Sequence, residues 1–249
     1  MLQLLLGGSG SGKTTLLYQR IRARAEKGEK SILLVPEQFT SSTEGRIYRE
    51  LGDALSGMVE SFSFTSLAEK ILSTEGGAAV QTLSDAGRAV LVRRALEELQ
   101  DNVHELKSAG LSGRQLAQLA GACGAESGKL SELALIFQGY ETLLARSGMD
   151  PSDRLELAGA RLEEALARHS LPEFLRDRAV FIDEFDTFNA PKKRLLGAML
   201  AALPSVTVAL CDDGAPLLPG DLSLFSGAKQ VAAQLRQLAR KNGAEAAVP

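Results

Sequence analysis

Apolar and polar positions follow two different rhythms along this chain. Residues 2–6 are almost continuously apolar, the pattern of a strand buried on both faces. A glycine-rich turn follows, and helical periodicity predicts a helix over 14–27 with Gly28 as its stop. A second buried strand is expected over 31–35, ended by Pro36. A helix over 43–55, capped by Ser42 or Thr43, leads to a short third strand over 58–62. Thr65 is expected to cap a helix through Leu72, which Gly76-Gly77 breaks. From residue 83 to 169 the strand signal disappears. Four helices are expected there, over 84–99 with Ser84 as cap, 111–123, 129–146 and 152–168. Strand character returns over 179–183. Pro191, at a first helical position, opens a helix to Leu203. A strand over 206–211 and a final helix over 228–242 complete the pattern, and the tail 243–249 is expected to add no closing element.

Strands alternating with helices imply an α/β fold built on a parallel sheet with right-handed crossovers. Five strands are expected. The helical stretch divides the chain into an α/β part, residues 1–76 and 172–249, and an inserted all-helical subdomain, residues 77–171.

Composition narrows the classes only slightly. The chain has 249 residues, 45% hydrophobic and 24% charged, enough for a sizeable core. No apolar run approaches a membrane span, and no secretory leader is expected, so a cytoplasmic location without membrane contact follows. Cys123 and Cys211, like His104 and His169, are isolated, which argues against a structural zinc site or a disulfide framework. A net charge of −3 and the absence of tryptophan argue against a surface that grips nucleic acid everywhere. A local basic groove is compatible with both. The clusters Arg20-Arg22-Arg24-Lys27 and Lys192-Lys193-Arg194 read first as solvated helix faces.

The glycine-rich turn carries the chemistry. Gly7-Gly8-Ser9-Gly10-Ser11-Gly12-Lys13-Thr14 fits G-x-x-x-x-G-K-[ST] completely, the P-loop pattern, and Thr15 stands behind it in the first helical turn. Glycines let the backbone curl so that N–H groups face phosphate oxygens, and the helix beyond adds its positive end. Lys13 supplies a point charge, and the Thr14 hydroxyl is placed to ligand Mg²⁺. Such a loop needs carboxylates at another strand end. Two places qualify, Asp183-Glu184 and Asp212-Asp213. The first is preferred because an Asp–Glu pair divides labour: Asp183 holds Mg²⁺ through water, and Glu184 orients or deprotonates the attacking water. Polar residues beyond strands two and three, Gln38, Thr40, Ser61 and Ser63, either line a nucleic-acid groove or cap helices.

The order of these pieces resembles the first, RecA-like motor domain of superfamily 1 helicases of the UvrD type. Ser61-Phe62-Ser63 is similar to that family's Thr-Phe-His motif, Asp183-Glu184-Phe185-Asp186 to its Asp-Glu motif, and the helical stretch stands where it carries its 1B subdomain. A closer resemblance is to the N-terminal region of the AddB subunits of bacterial AddAB helicase–nucleases. It is carried by Leu34-Val-Pro-Glu-Gln-Phe-Thr40 with Glu44, by Val59-Glu-Ser-Phe62, by Lys129-Leu-Ser-Glu-Leu133 with Tyr140, by Phe181-Ile-Asp183 through Phe188, and by Leu224-Phe225. The resemblance implies processing of broken DNA ends for recombinational repair, beside an AddA-type motor subunit. It implies ATP and Mg²⁺ as cofactors and DNA, as double-strand ends and single strand, as partner. The family's iron–sulfur nuclease is not expected here, because two cysteines cannot build that cluster.

The chain departs from the helicase pattern in three ways. Only residues 1–6 precede the loop, where helicases of this type carry an adenine-reading glutamine motif. Cys211-Asp212-Asp213-Gly214-Ala215 replaces Gly-Asp-x-x-Gln, and there is no second motor domain to lend an arginine. Nucleotide binding with at most feeble hydrolysis is therefore expected of this chain alone, since losing such an arginine costs roughly 10³–10⁵ in rate. Two other readings fit the same loop. One is a P-loop kinase of a small metabolite, with Arg88, Arg93 and Arg94 on a helical lid. The other is a DNA-binding scaffold that does not hydrolyse nucleotide.

Overall fold

In the computed structural model, which describes residues 1–76, 87, 90, 105–122, 127–147, 151–217 and 223–247, each apolar run of the sequence becomes a strand whose side chains divide between two cores. The strands are β1 (Leu2–Gly7), β2 (Ser31–Leu34), β3 (Val59–Phe62), β4 (Ala179–Ile182), β5 (Ser205–Cys211) and β6 (Ala246–Ala247). They form one parallel sheet in the order β3-β2-β4-β5-β1-β6.

Period-two alternation sorts the faces. Leu2 and Leu4, Ile32 and Leu34, Val180 and Ile182, and Val206 and Val208 join one core. Helices α4 (Phe64–Glu75), α7 (Pro151–Ala167), α8 (Ala190–Ala202) and α9 (Ser226–Lys241) cover it. Leu5, Leu33, Phe181 and Ala209 point the other way, onto α1 (Lys13–Ala25) and α2 (Thr40–Leu51). Continuous apolar runs are what a sheet covered on both faces requires.

The remaining helices are α3 (Asp53–Ser56), α5 (Gly113–Ala122) and α6 (Ser127–Ser147). Leu116, Ala134, Phe137, Tyr140 and Leu144 of α5 and α6 make a small core of their own. The last helix of the expected insertion, α7, does not share it. Leu155, Ala158 and Leu162 of α7 bury into the main core against α4 and α8. Apart from residues 87 and 90, which are helical, the helix expected over 84–99, with Ser84 and Arg88, Arg93 and Arg94, lies outside the described residues, as do Cys123 and His104.

Several local expectations are corrected. The sheet has six strands among the described residues, not five: the tail closes it, because Glu245 O accepts from Leu2 N–H at 2.7 Å and aligns Ala246–Ala247 beside β1. The second helix begins at Thr40. A 3₁₀ turn over Glu37–Phe39 feeds straight into it, and the Thr40 and Ser42 hydroxyls donate back to the carbonyls of Glu37 and Phe39 instead of capping. The same helix stops at Leu51, where Gly52 takes φ +77°, and a single separate turn, α3, follows. Ser63, not Thr65, caps α4, through a reciprocal capping box with Ser66. Pro191 is the second residue of α8, behind an Asn189 cap that accepts from Lys192 N–H at 3.1 Å.

Register aligns the strand ends that matter. Gly7 pairs with Cys211, Leu34 with both Phe62 and Ile182, and Ile182 with Val208. The glycine-rich loop, Glu37–Phe39, Ser63, Asp183 and Asp212 therefore all emerge at the carboxyl edge of the sheet, where open α/β sheets bind ligands.

Candidate nucleotide-binding site

The loop after β1 is shaped by its glycines. Gly10 and Gly12 take φ of +73° and +84°, a region that L side chains rarely adopt. A Cβ on Gly7 would lie 2.6 Å from Ser11 Oγ, so a larger residue there would have to displace the Ser11 side chain. Lys13 Nζ reaches back and donates to the carbonyls of Gly7 and Gly8, both at 2.7 Å. Gly12 stands at the N-cap of α1 with no side-chain cap, and no carboxylate lies in the first turn. The first intrahelical bond is Leu16 N–H to Gly12 O at 2.8 Å, which leaves the N–H groups of Lys13, Thr14 and Thr15 without helical acceptors. Ser9, Ser11 and Gly12 are exposed beside them, with Gly8 partly buried. This is a concave set of donors with a lysine at its rim, and it suits an anion of several oxygens.

The two acidic strand ends differ. At β5, Asp212 N–H donates to Gly7 O at 3.0 Å and its carboxylate accepts from Gly214 N–H at 2.7 Å. Asp213 forms an ion pair with the buried Lys229 at 2.9 Å, which holds its carboxyl below the usual carboxylate range. At β4, Asp183 N–H donates to Leu34 O, and Asp183 Oδ1 accepts from Glu184 N–H at 3.0 Å. Glu184 adopts φ +65°, a left-handed conformation costing about 1–3 kcal/mol in a non-glycine residue. Strain of that kind collects at functional sites.

Asp183 and Glu184 line one cavity of about 180 Å³ together with Thr14, Tyr18, Thr43 and Arg46. The loop and the β4 carboxylates, distant in sequence, thus share a space. Burial and the neighbouring Asp183 charge raise the Glu184 pKa, and Arg46 opposes them. Tyr18, 5% exposed, is pushed up to about 12 by burial first and by the charges of Asp183 and Glu184, again against Arg46. The Arg46 guanidinium lies 5.1 Å from the Tyr18 ring centroid. Sequence reasoning passes over Tyr18 and Arg46. Tyr18 follows Thr14 by four residues and so shares its helix face, and Arg46 follows the buried Thr43 by three. Those spacings are the available signal.

The other expected site residues lie along the same edge but outside this cavity. Gln38 is exposed in the 3₁₀ turn, and Thr40 begins α2. Ser61 lines a separate groove of about 450 Å³ with Ile47 and Tyr48 on the outer side of β3. Ser63 is buried, its hydroxyl engaged in capping α4. The basic clusters are largely engaged within the fold. Arg20 donates to Gln3 Oε1 at 2.7 Å, Arg24 pairs with Glu29 at 2.8 Å, and Arg194 spans Glu156 and Glu163, both at 2.9 Å. Lys192 lies over the rings of Phe64 and Phe185, and burial lowers its pKa. Among the described residues no cluster of His, Cys, Asp and Glu is arranged to hold a metal by itself, and no helix is long and apolar enough to cross a membrane.

Known proteins resemble the chain over nearly its whole length. The family described as "ADDB, N-terminal" matches residues 4–110 and 96–249. Similar curated proteins are named as subunits of an ATP-dependent helicase/deoxyribonuclease. That of Desulforudis audaxviator is 33% identical across 98% of this chain and 23% of its own length. Those of Moorella thermoacetica and Anoxybacillus flavithermus are each 31% identical across 97% of this chain and 23% of their own lengths. The chain thus spans less than a quarter of the curated relatives it matches.

Proposed function

Because the chain belongs to the family of AddB N-terminal regions, we propose that it is the ATP-binding, helicase-like region of a subunit of a DNA-end-processing helicase/exonuclease that serves double-strand-break repair by recombination. The observation that carries this reading is the cavity that Thr14 shares with Asp183 and Glu184. A loop of backbone donors alone binds many anions. A loop whose threonine faces two carboxylates suits a phosphate chain carrying a divalent cation.

Lys13 and the N–H groups from Gly8 to Thr15 hold the phosphates in this reading. Thr14 and, through water, Asp183 hold Mg²⁺. Bound as its Mg²⁺ complex, ATP supplies a phosphoanhydride whose cleavage can drive movement on DNA. Glu184, with its raised proton affinity, orients the attacking water or accepts a proton from it. Gln38, Thr40 and Ser61 contact DNA along the carboxyl edge, and Ser63 fixes the helix behind them. The motor-like part comprises residues 1–76 and 172–249 and the helical insertion residues 77–171. Within that insertion α7 packs into the main core, whereas α5 and α6 form a core of their own. The partner is an AddA-type subunit that carries the main motor activity, in the bacterial cytoplasm.

Calorimetry of Mg²⁺-ATP with the chain and with Lys13→Ala tests the site. Saturable binding that Lys13→Ala abolishes is expected. A folded chain that binds no nucleotide would remove the proposed site and favour the scaffold reading.

A further inference from the structure

We propose that Arg46 is a specificity-determining residue of this site, meeting the terminal phosphate of a nucleoside triphosphate and so separating triphosphate from diphosphate. The inference rests on the nucleotide reading above and names a residue that the P-loop pattern does not contain.

Lys13 folds back over the loop toward Gly7 and Gly8, whereas Thr14 faces the cavity between α1 and α2. A phosphate chain lying along the loop, with its metal at Thr14, directs its outermost phosphate toward that cavity. Two carboxylates, Asp183 and Glu184, already line it. A terminal phosphate entering there meets like charge unless a cation stands opposite.

Two arginines of α2, Arg46 and Arg49, line the cavity; Arg49 donates back to Gly45 O of its own helix, and Arg46 is the one held against Tyr18. Arg46 stands one turn past Thr43. Among the described residues it makes no ion pair that would consume its charge. Its guanidinium lies over the buried Tyr18 ring, 5.1 Å from the centroid, a cation–π contact that favours this position before any ligand arrives. A planar fork of donors held in advance matches phosphate oxygens in two-point contact, and little ordering entropy is lost on binding. A diphosphate seated on the loop ends short of the cavity and does not engage it.

A purely structural Arg46 would only pin α2 to α1 through Tyr18. The two roles separate in a titration of the 249-residue chain with Mg²⁺-ATP and Mg²⁺-ADP, using wild type, Arg46→Gln and Arg46→Lys, with folding checked by thermal melts. Arg46→Gln is expected to weaken ATP about tenfold or more, the order of one lost charge-assisted contact, and to leave ADP within about twofold. Arg46→Lys, which keeps the charge without the fork, is expected to recover part of the loss. Equal weakening of ATP and ADP, or no change in either, overturns the proposal while leaving the nucleotide site standing. A wild-type chain that binds neither nucleotide overturns the site itself, and this inference with it.

Discussion

Strands β4 and β5 are adjacent, parallel, apolar and both end in consecutive carboxylates, yet their ends do different things. At β5, Asp212 closes its own turn onto Gly214 and Asp213 is bound by Lys229 from α9. At β4, Glu184 is turned into a left-handed conformation and faces a cavity with Thr14 and Arg46. Strand ends of similar composition thus become a structural joint in one case and a candidate ligand site in the other. What decides is the side chain brought opposite by another element, a buried lysine or the threonine of the glycine-rich loop.

The largest effects test whether the two strands are equal partners in stability. Ile182→Ala in β4 and Leu210→Ala in β5 remove side chains of 0% and 2% exposure, and each is expected to cost about 2–5 kcal/mol in denaturant unfolding. If one truncation proves nearly neutral, the strands are not equivalent in the core and the comparison breaks.

A second effect is a matter of pH. Tyr18, held at about 12 against an ordinary 10, stays protonated in the folded chain while the unfolded chain ionises. Its contribution is complete below pH 10 and is lost as pH rises to about 12, by about 2–3 kcal/mol relative to Tyr18→Phe. Unfolding of both chains across that interval reads the difference. Asp183→Asn is expected to narrow it, because the Asp183 charge is one of its causes, and Asp213→Asn to leave it unchanged. An Asp213 dependence would place the electrostatic centre at the wrong strand end.

A smaller effect comes from the backbone. Glu184→Gly relieves a left-handed glutamate and is expected to stabilise by about 1 kcal/mol after the entropy of the unfolded glycine is counted. Asp213→Gly has no such strain to relieve and is expected to gain nothing. A thermal melt that ranks the two in reverse would show that the strain at residue 184 is offset elsewhere.

The sequence makes some of this legible and hides the rest for physical reasons. The strand over 2–6 and the loop from Gly7 to Thr14 declare themselves, because buried-strand runs and left-handed glycines are local requirements. The apolar run before Asp183 declares itself for the same reason. The two-residue β6 does not, since Ala246–Ala247 has no alternation to read and is held by its pairing with β1. The break at Gly52 is hidden because the helical pattern resumes beyond it in α3. The interposition of β5 between β1 and β4 is a property of strand order, which no window of sequence encodes. Tyr18 and Arg46 escape because neither belongs to a motif, and only the crossing of α1 and α2 over β2 and β4 brings them to Asp183.

The most direct test asks which carboxylate serves the loop, by measuring the Mg²⁺ dependence of ATP binding in wild type, Asp183→Asn and Asp213→Asn. Loss of the Mg²⁺-dependent part in Asp183→Asn alone is expected, with Asp213→Asn indistinguishable from wild type. Loss in Asp213→Asn with Asp183→Asn unaffected would contradict the assignment and make the Lys229-bound strand end the metal side of the site.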